Sequence, residues 1–194
     1  MLKKRCQWPG EDALMIHYHD EEWGVAVYDD KRWFEYLVLD TFQAGLSWKI
    51  ILHKREAFRQ VFHHFDVHKV AAMSHQEMHN CLQNKAIIRN WLKIKATVTN
   101  AQAFLKIQSE VGSFNQYIWS FTNGKPIHHY HAHSDDLPTT SDESHAMSKD
   151  LKNRGFTFVG STICYAFMQA AGMVNDHTID CFRHKEIIMT NAQQ

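Results

Sequence analysis

The chain has 194 residues, which is enough for one domain with a substantial hydrophobic core. Its 21 lysines and arginines balance 21 aspartates and glutamates, which excludes a uniformly positive surface but allows a local basic patch. The hydrophobic fraction of 44% excludes a disordered chain, and no apolar stretch suits a transmembrane span or a signal peptide. We therefore expect a soluble, cytoplasmic protein that has no membrane partner.

Helical patterns follow one another along most of the chain. Apolar residues recur at three- and four-residue spacing over residues 33–42, which predicts an amphipathic helix capped by Asp29 or Asp30. Ser74 followed by Glu77 is a capping-box pattern at the start of a further helix. Other helices are predicted at residues 56–65, 86–109 with a kink near 89–93, 114–121, 144–153 and 160–171.

The predicted elements place the chain in the all-α class. No alternating strand pattern, internal repeat or linker interrupts the helices, so we expect a single domain over residues 1–186, working as a monomer. Residues 187–194 are predicted to be a frayed tail. The clearest loop lies at residues 123–140, which contain two of the three prolines.

Four cysteines without a Cys-x-x-Cys pair argue against a disulfide framework, but His177 and Cys181 are spaced to share one face of a helix. On that face both side chains could bind one metal ion. Cys6 and either His17 or His19 are candidates for the two further ligands that a structural zinc requires. The alternative interpretation is that the cysteines are surface thiols.

A second group of candidates surrounds the end of the first predicted helix. Asp40 lies on that helix, and Leu46 and Trp48 follow a glycine that permits a sharp turn. Together with Trp8 and Tyr18 from the N-terminal region, Asp40 could form an aromatic pocket with a carboxylate, which suits a flat cation. The alternatives are an ordinary interhelical turn and a solvated acid.

Residues 152–162 combine a cationic helix end, two glycines and the start of a new helix. Arg154 and Gly155 stand at the first helix end, and Gly160 and Ser161 open the next helix. Free backbone N–H groups at such a helix start can bind a DNA phosphate without reading bases. Such binding involves only a few phosphate contacts, so it is compatible with a net charge of zero. An ordinary helical hairpin, however, has the same sequence pattern.

Histidines stand at positions 128, 129, 131 and 133 of the predicted loop. We expect no acidic residue or cysteine to join them as a partner ligand in a metal site. We interpret this segment as a solvated loop and leave its role open.

Seven stretches occur in one order from residue 6 to residue 181, which is nearly the whole chain. They are Cys6-Gln7-Trp8, Tyr18 to Val25, Gln43 to Trp48, Lys54-Arg55-Glu56, Trp119-Ser120-Phe121, Arg154 to Gly160, and Gly172 to His177 leading into Cys181. Together these stretches resemble the 3-methyladenine DNA glycosylase I family, and such a colinear set rarely arises by chance.

The resemblance implies an all-α, helix-hairpin-helix DNA glycosylase fold with one zinc ion that joins the N- and C-terminal segments. It selects His19 over His17, so the implied zinc ligands are Cys6, His19, His177 and Cys181. Four protein ligands leave no open position for water, so this zinc has a structural role.

The resemblance also implies a DNA repair enzyme that hydrolyses the N-glycosidic bond of alkylated purines, chiefly 3-methyladenine, in double-stranded DNA. The target base is flipped into a pocket where Trp8, Tyr18 and Trp48 surround it, with Asp40 and Tyr18 as the catalytic pair. Leu46 would fill the gap that the flipped base leaves in the DNA stack. Because methylation makes the purine a good leaving group, selective binding can do most of the catalytic work.

Two positions depart from the family pattern. Asp40 stands where the family has a pocket glutamate, and Met15 stands where some members carry a second tyrosine. The shorter acid leaves open the alternative of a zinc-stabilised module that binds DNA lesions without cleaving them. A metal-dependent nuclease is a weaker alternative, because no paired acidic motif stands out.

Overall fold

The computed structural model describes residues 3–191, which are mostly helical. The α-helices are α1 (Ala13–Glu21), α2 (Asp30–Gln43), α3 (Trp48–His53), α4 (Arg55–Val61), α5 (Val67–Ala71), α6 (His75–Gln83), α7 (Trp91–Val111), α8 (Phe114–Trp119), α9 (Asp142–Asn153), α10 (Ser161–Ala170) and α11 (Phe182–Asn191). Two short strands are β1 (Ile127–His128) and β2 (Val174–Asn175). Within residues 3–191, no helix has the length and hydropathy needed to cross a membrane.

Helix α2 runs through the centre of the fold, and every residue from 33 to 42 is buried. Asp29 caps it, because its side chain accepts a hydrogen bond from the backbone N–H of Arg32 at 2.9 Å. Helices α3, α7, α8 and α10 pack around it. The pattern predicts an amphipathic helix, but these neighbours leave the buried run without a solvent-facing stripe. Asp40 is therefore buried together with the apolar residues beside it.

Two other helices begin at capping side chains. Ser74 and Glu77 form the predicted capping box of α6. Helix α7 begins at Trp91 rather than at residue 86, because the side chain of Asn90 accepts a hydrogen bond from the backbone N–H of Lys93. The interruption predicted near residues 89–93 is thus the start of this helix.

A parallel pair of strands, β1 and β2, is an exception to the all-α prediction. Ile127 pairs with Val174, and His128 pairs with Asn175. The predicted loop at 123–140 is therefore fastened to the segment that precedes His177. Two residues per strand are too short to show a periodic pattern in the sequence.

The two ends of the described chain meet. The backbone N–H of Phe182 donates to the carbonyl oxygen of Lys4 at 2.9 Å, and the sulfur of Cys6 lies 3.7 Å from the hydroxyl oxygen of Thr178. The N-terminal segment and the C-terminal segment thus contact each other directly.

The prediction of a frayed tail from residue 187 is wrong for residues 187–191, which form the end of α11. Ile187 is buried, and the removal of this apolar side chain from water favours an ordered helix at this position. Residues 192–194 of the predicted tail lie outside the described residues.

Candidate active site and metal centre

A cavity of about 310 Å³ opens between α1, α2, α3, α10 and the loop that follows β1. Its volume is in the range of sites that bind small organic molecules. The structure brings four predicted site residues to its wall, namely Trp8, Tyr18, Asp40 and Trp48. Trp23, which the sequence analysis includes only as part of a longer motif, lines the same cavity.

Aromatic rings line much of this cavity. The ring centroids of Tyr18 and Trp48 are 5.0 Å apart, and that of Trp8 lies 6.2 Å from Tyr18. Trp23 packs edge-on against Trp8 at 5.0 Å. Burial raises the pKa of Tyr18 well above its ordinary value, so its hydroxyl group remains protonated. The wall therefore offers π surfaces and a neutral hydroxyl group to a flat ligand.

The carboxyl group of Asp40 lies at the cavity wall, and this residue is only 1% exposed. Among the described residues, its Oδ2 atom has no hydrogen-bond partner, and neither have the buried indole nitrogens of Trp8 and Trp48. Because a buried carboxylate is poorly solvated, burial raises the pKa of Asp40 well above its ordinary value. Buried polar groups without partners are costly, so three of them around one cavity indicate a site that a polar ligand completes.

The end of α2 is held by a lysine that the sequence analysis did not select. The buried Lys93 side chain donates hydrogen bonds to the backbone carbonyls of Phe42 and Ala44 at 2.8 and 2.5 Å. These contacts satisfy carbonyl groups that a helix end otherwise leaves unpaired. The available signal was a lysine at helical spacing from the buried residues 97, 101 and 104 of α7.

The turn beyond α2 separates a surface residue from a cavity residue. The chain reverses at Gly45, where φ is 76°, and Leu46 follows with 37% of its surface exposed. Ser47 then caps α3 and places Trp48 at the first position of that helix, at the cavity wall. The predicted wedge residue and the predicted base-binding residue thus both follow this turn, the first exposed and the second at the cavity wall.

A buried ion cluster joins α1, α2 and α4. The Nε atom of Arg55 donates to Glu35 at 2.7 Å, and its Nη1 atom donates to Glu22 at 2.8 Å. This cluster holds the end of α1, which carries Tyr18, against α2, which carries Asp40. Two of its members belong to stretches that carry the family resemblance, and the structure gives them this positioning role.

The metal ligands predicted at both ends of the chain lie together. Ligand atoms of Cys6, His19 and Cys181 are all within 4.8 Å of one another, and all three residues are buried. The Nε2 atom of His19 lies 3.6 Å from the sulfur of Cys181, and its Nδ1 atom lies 2.8 Å from Oδ1 of Asp20. A carboxylate on the far nitrogen commonly orients a ligating imidazole. His17 is exposed and lies outside this group.

His177 lies beside these three residues, although it is not part of the set within 4.8 Å. Its ring centroid is 4.8 Å from that of His19, and its Nδ1 atom lies 2.9 Å from Oδ1 of Asn175. Its Nε2 atom is buried and has no hydrogen-bond partner in the described part of the chain. Burial lowers the pKa of His177 to about 3, so the imidazole is neutral near pH 7, as a metal ligand must be.

The pKa values of the two cysteines of this group are shifted in opposite directions. A hydrogen bond from Cys6 and a second one from His19 lower the pKa of Cys181 to about 4, whereas the same pairing raises the pKa of Cys6. The thiolate form of Cys181, which is the form that binds a metal, is therefore favoured. Two sulfur and two imidazole donors match the donor set of a structural zinc site.

Helices α9 and α10 are joined by a tight turn over residues 154–160. Gly155 has a φ of 93°, and Gly160 precedes α10 without any capping side chain and with open space around its α-carbon. The first backbone N–H groups of α10, from Ser161 onward, are therefore available to an anion. Asn100 holds this turn, because its amide accepts from the N–H of Thr157 at 2.9 Å and donates to its carbonyl at 3.1 Å.

Arg154 is engaged in contacts inside the fold. Its Nε atom donates to Asp150 at 2.7 Å, its Nη1 atom donates to Glu110 at 2.8 Å, and its guanidinium group lies over the ring of Tyr117. Two carboxylates offset its charge, so the backbone of the turn is the stronger phosphate donor. A direct contact of Arg154 with DNA stays a prediction.

The interpretation of residues 128–133 as a solvated loop without an acidic partner is wrong for two histidines. The Nδ1 atom of His129 lies 2.6 Å from Oδ1 of Asp176, and Nε2 of His131 lies 3.7 Å from the same oxygen. Asp176 follows β2, so the pairing of β1 with β2 brings a partner that is distant in the sequence.

The structure thus combines a mostly helical fold with a cavity that is lined by aromatic rings and by the buried residue Asp40. The family model described as methyladenine glycosylase matches residues 8–184. The chain therefore belongs to the methyladenine glycosylase family.

Named relatives have similar sequences and folds. The DNA-3-methyladenine glycosylase of Haemophilus influenzae is 46% identical, with 93% of this chain and 97% of that protein aligned. The DNA-3-methyladenine glycosylase 1 of Escherichia coli is 47% identical, with 92% and 95% aligned. A solved structure of 3-methyladenine DNA glycosylase I from Staphylococcus aureus, described for its recognition of 3-methyladenine, is 38% identical with a TM-score of 0.89, covering 92% of this chain and 95% of that one.

The substitution Asp40→Asn is expected to stabilise the fold at neutral and alkaline pH. The pKa of Asp40 is raised on folding, so its contribution to stability is greatest below the unfolded value of 3.8 and is lost as pH rises through the folded pKa. We expect the melting temperature of the variant to exceed that of wild type by a few degrees at pH 8, since about 1 kcal/mol corresponds to about 2–4 °C for a domain of this size.

Thermal unfolding of both proteins between pH 5 and pH 8 measures this difference, which should grow with pH. Glu21→Gln, a change at an exposed acid at the end of α1, is the matched control and should give no such trend. A variant that is equally stable or less stable than wild type at pH 8 would show that the carboxylate of Asp40 is well solvated.

Proposed function

We propose that the protein hydrolyses the N-glycosidic bond of alkylated purines, chiefly 3-methyladenine, in double-stranded DNA. The observation that carries this proposal is the cavity lined by Asp40, Trp8 and Trp48, because the buried Oδ2 atom and the two buried indole nitrogens have no hydrogen-bond partner among the described residues. These groups match a flat, polar and positively charged ring, and the named relatives act on such a base. Every group of the site comes from one chain, so a monomer is sufficient for this reaction.

The reaction breaks the bond between C1′ of the sugar and N9 of the purine. The bonding electron pair leaves with the base, a water oxygen bonds to C1′, and this water releases one proton. Methylation at N3 has already made the attached purine cationic, so the departing base is neutral and needs little assistance. The protein therefore has to extrude the damaged base and hold it in the cavity away from the DNA stack.

Asp40 selects cationic purines. In the free protein, burial favours the protonated carboxyl group. A cationic purine in the cavity supplies a nearby positive charge that favours the carboxylate, whereas a neutral base does not. The side chain is one methylene shorter than glutamate, which leaves room for a bridging water between carboxylate and base. Tyr18 contributes a neutral hydroxyl group at the same wall, and neutral or bulky lesions are excised poorly.

The turn between α9 and α10 binds the DNA backbone. Gly160 and Ser161 start the helix that also carries Ala166 and Gln169 to the cavity wall. At 1.5 Å per residue, the helix start lies about 8–12 Å from these wall residues along the axis. A phosphate held there lies close enough for its neighbouring nucleotide to enter the cavity. Leu46 fills the space that the flipped base leaves in the stack.

One structural zinc ion is held by Cys6, His19, His177 and Cys181. The donor set supports this assignment, as does the buried Nε2 atom of His177, which has no hydrogen-bond partner in the part of the chain that the structure describes. The metal supplies a cross-link between the two terminal segments, and the reaction uses none of its coordination positions. Trp8 follows Cys6 by two residues and Tyr18 precedes His19, so the zinc also steadies two residues of the cavity wall.

Incubation of the protein with methylated duplex DNA should release free 3-methyladenine, measured by chromatography of the released bases. Asp40→Asn should weaken binding of the free base by about 1–3 kcal/mol, the cost of losing a charged hydrogen-bond partner, and should slow its release from DNA. Binding to lesion-containing DNA without release of any base would instead support the non-catalytic lesion-binding module. An Asp40→Asn variant that binds and excises like wild type would remove Asp40 from the mechanism.

Cys181→Ser should lose one equivalent of zinc relative to wild type, measured by mass spectrometry of metals in protein purified without a histidine tag. The physical reason is the loss of a thiolate ligand from a four-ligand site. Cys81→Ser, which changes a buried cysteine in α6, is the control and should keep full metal content. Unchanged zinc in the Cys181→Ser variant would contradict the assigned ligand set.

Gly160→Asp should reduce affinity for duplex DNA by about tenfold, because a carboxylate at the start of α10 repels a phosphate. Gly160→Ala is the matched control: a Cβ atom there meets no atom within 4 Å, and Gly160 has a φ of −63° that alanine adopts easily. Fluorescence anisotropy at one fixed salt concentration measures both variants. Equal affinity of a folded Gly160→Asp variant and wild type would exclude the turn as a phosphate site.

A further inference from the structure

His129, His131 and Asp176 form a second group of metal-binding side chains, apart from the cysteine-containing group. One ligand atom from each lies within 4.8 Å of the other two. The Nε2 atom of His131 is buried and lacks a hydrogen-bond partner in the described part of the chain. We propose that this group binds a second zinc ion, in addition to the structural zinc described above.

The backbone aims both histidines at the same side of the chain. Residues in extended conformation alternate between two faces, so His129 and His131 share a face and Tyr130 points away from it, towards His184. The N–H of His129 donates to the carbonyl of Asn175 at 3.1 Å. The carbonyl of His131 accepts from the N–H of Ile179 at 2.9 Å, so the backbone of both residues is anchored.

Hydrogen bonds to one oxygen atom of Asp176 orient its carboxylate. Its Oδ2 atom accepts hydrogen bonds from the hydroxyl of Tyr165 and from the amide of Gln169, both at 2.7 Å. These contacts leave Oδ1 facing His129 and His131. Outer contacts that fix a ligand carboxylate in this way are characteristic of built metal sites. The side chain is fully buried, so it is held in one position.

Two imidazoles and one carboxylate favour zinc over calcium or magnesium, which prefer oxygen ligands only. Zinc ligand atoms at about 2.0–2.2 Å from the metal require only small movements of these three side chains. On binding, the metal displaces the proton between Nδ1 of His129 and Asp176: a neutral imidazole then carries its proton on Nε2, and a charged imidazole releases one proton to solvent. His129 and His131 are 30% and 19% exposed, so water can occupy the fourth position of the metal.

This zinc would fasten the wall of the cavity to the C-terminal segment. Ser134 and Leu137 line the cavity and follow His131 closely in the sequence, and Gln169 lines the cavity while contacting Asp176. The metal therefore restrains the loop without touching the base. The inference stands on these contacts alone and does not depend on the reaction proposed above.

The experiment compares zinc content after untagged protein has been loaded with Zn²⁺ and dialysed against metal-free buffer. His131→Asn should hold one zinc fewer than wild type, and His133→Asn, at an exposed histidine of the same loop, should match wild type. Tyr165→Phe keeps all three ligands but removes one outer hydrogen bond, so its zinc affinity at this site should fall by about 10–100-fold.

The comparison with Cys181→Ser separates the two centres. This variant should still lose one further zinc when His131→Asn is added to it. Titration with Co²⁺ gives a second readout, because only the cysteine-containing centre produces intense sulfur-to-metal charge-transfer absorption. Equal zinc content of His131→Asn and wild type, or loss of the same zinc by both single variants, would overturn the proposal.

Discussion

The burial of α2 is the constraint on which the rest of the site depends. This helix is enclosed over residues 33–42, so any polar side chain on it is removed from water. Asp40 is such a residue: it lines the cavity, and its Oδ2 atom has no hydrogen-bond partner within residues 3–191. A carboxyl group in this position is unfavourable for the empty protein and favourable for a protein that holds a cation beside it. The same helix that forms the core thus also positions the carboxyl group on which the proposed selectivity depends.

The elements around α2 place the remaining groups relative to that carboxyl group. Lys93 ends the helix and sets the turn that carries Leu46 and Trp48. The ion cluster of Arg55 joins the helices that carry Tyr18 and Asp40. These polar contacts are buried or partly buried, so they fix positions as well as contribute stability.

The C-terminal segment connects the two candidate metal centres to the cavity. Asp176 and His177 are neighbours in the sequence but belong to different groups of ligands. One group lies with the N-terminal segment that carries Trp8, and the other lies with the loop that completes the cavity wall. A short strand pair, β1 and β2, brings that loop into place. The cavity is therefore bordered by the N-terminal segment and by the loop after β1, which are far apart along the chain. Both of these segments contact the C-terminal segment near Asp176 and His177.

The sequence by itself determined the helical class, the capping residue Ser74, a cap at Asp29 or Asp30, and most candidate residues, because caps and helical periodicity depend on near neighbours. The family motifs also selected Trp8, Tyr18 and Trp48, which the structure brings to one cavity. Only the tertiary structure decided that Asp40 is buried, that Lys93 ends α2, and that the histidines after β1 meet Asp176. Burial and pairing between distant segments depend on which faces of the helices pack together, and no local pattern in the chain encodes that choice.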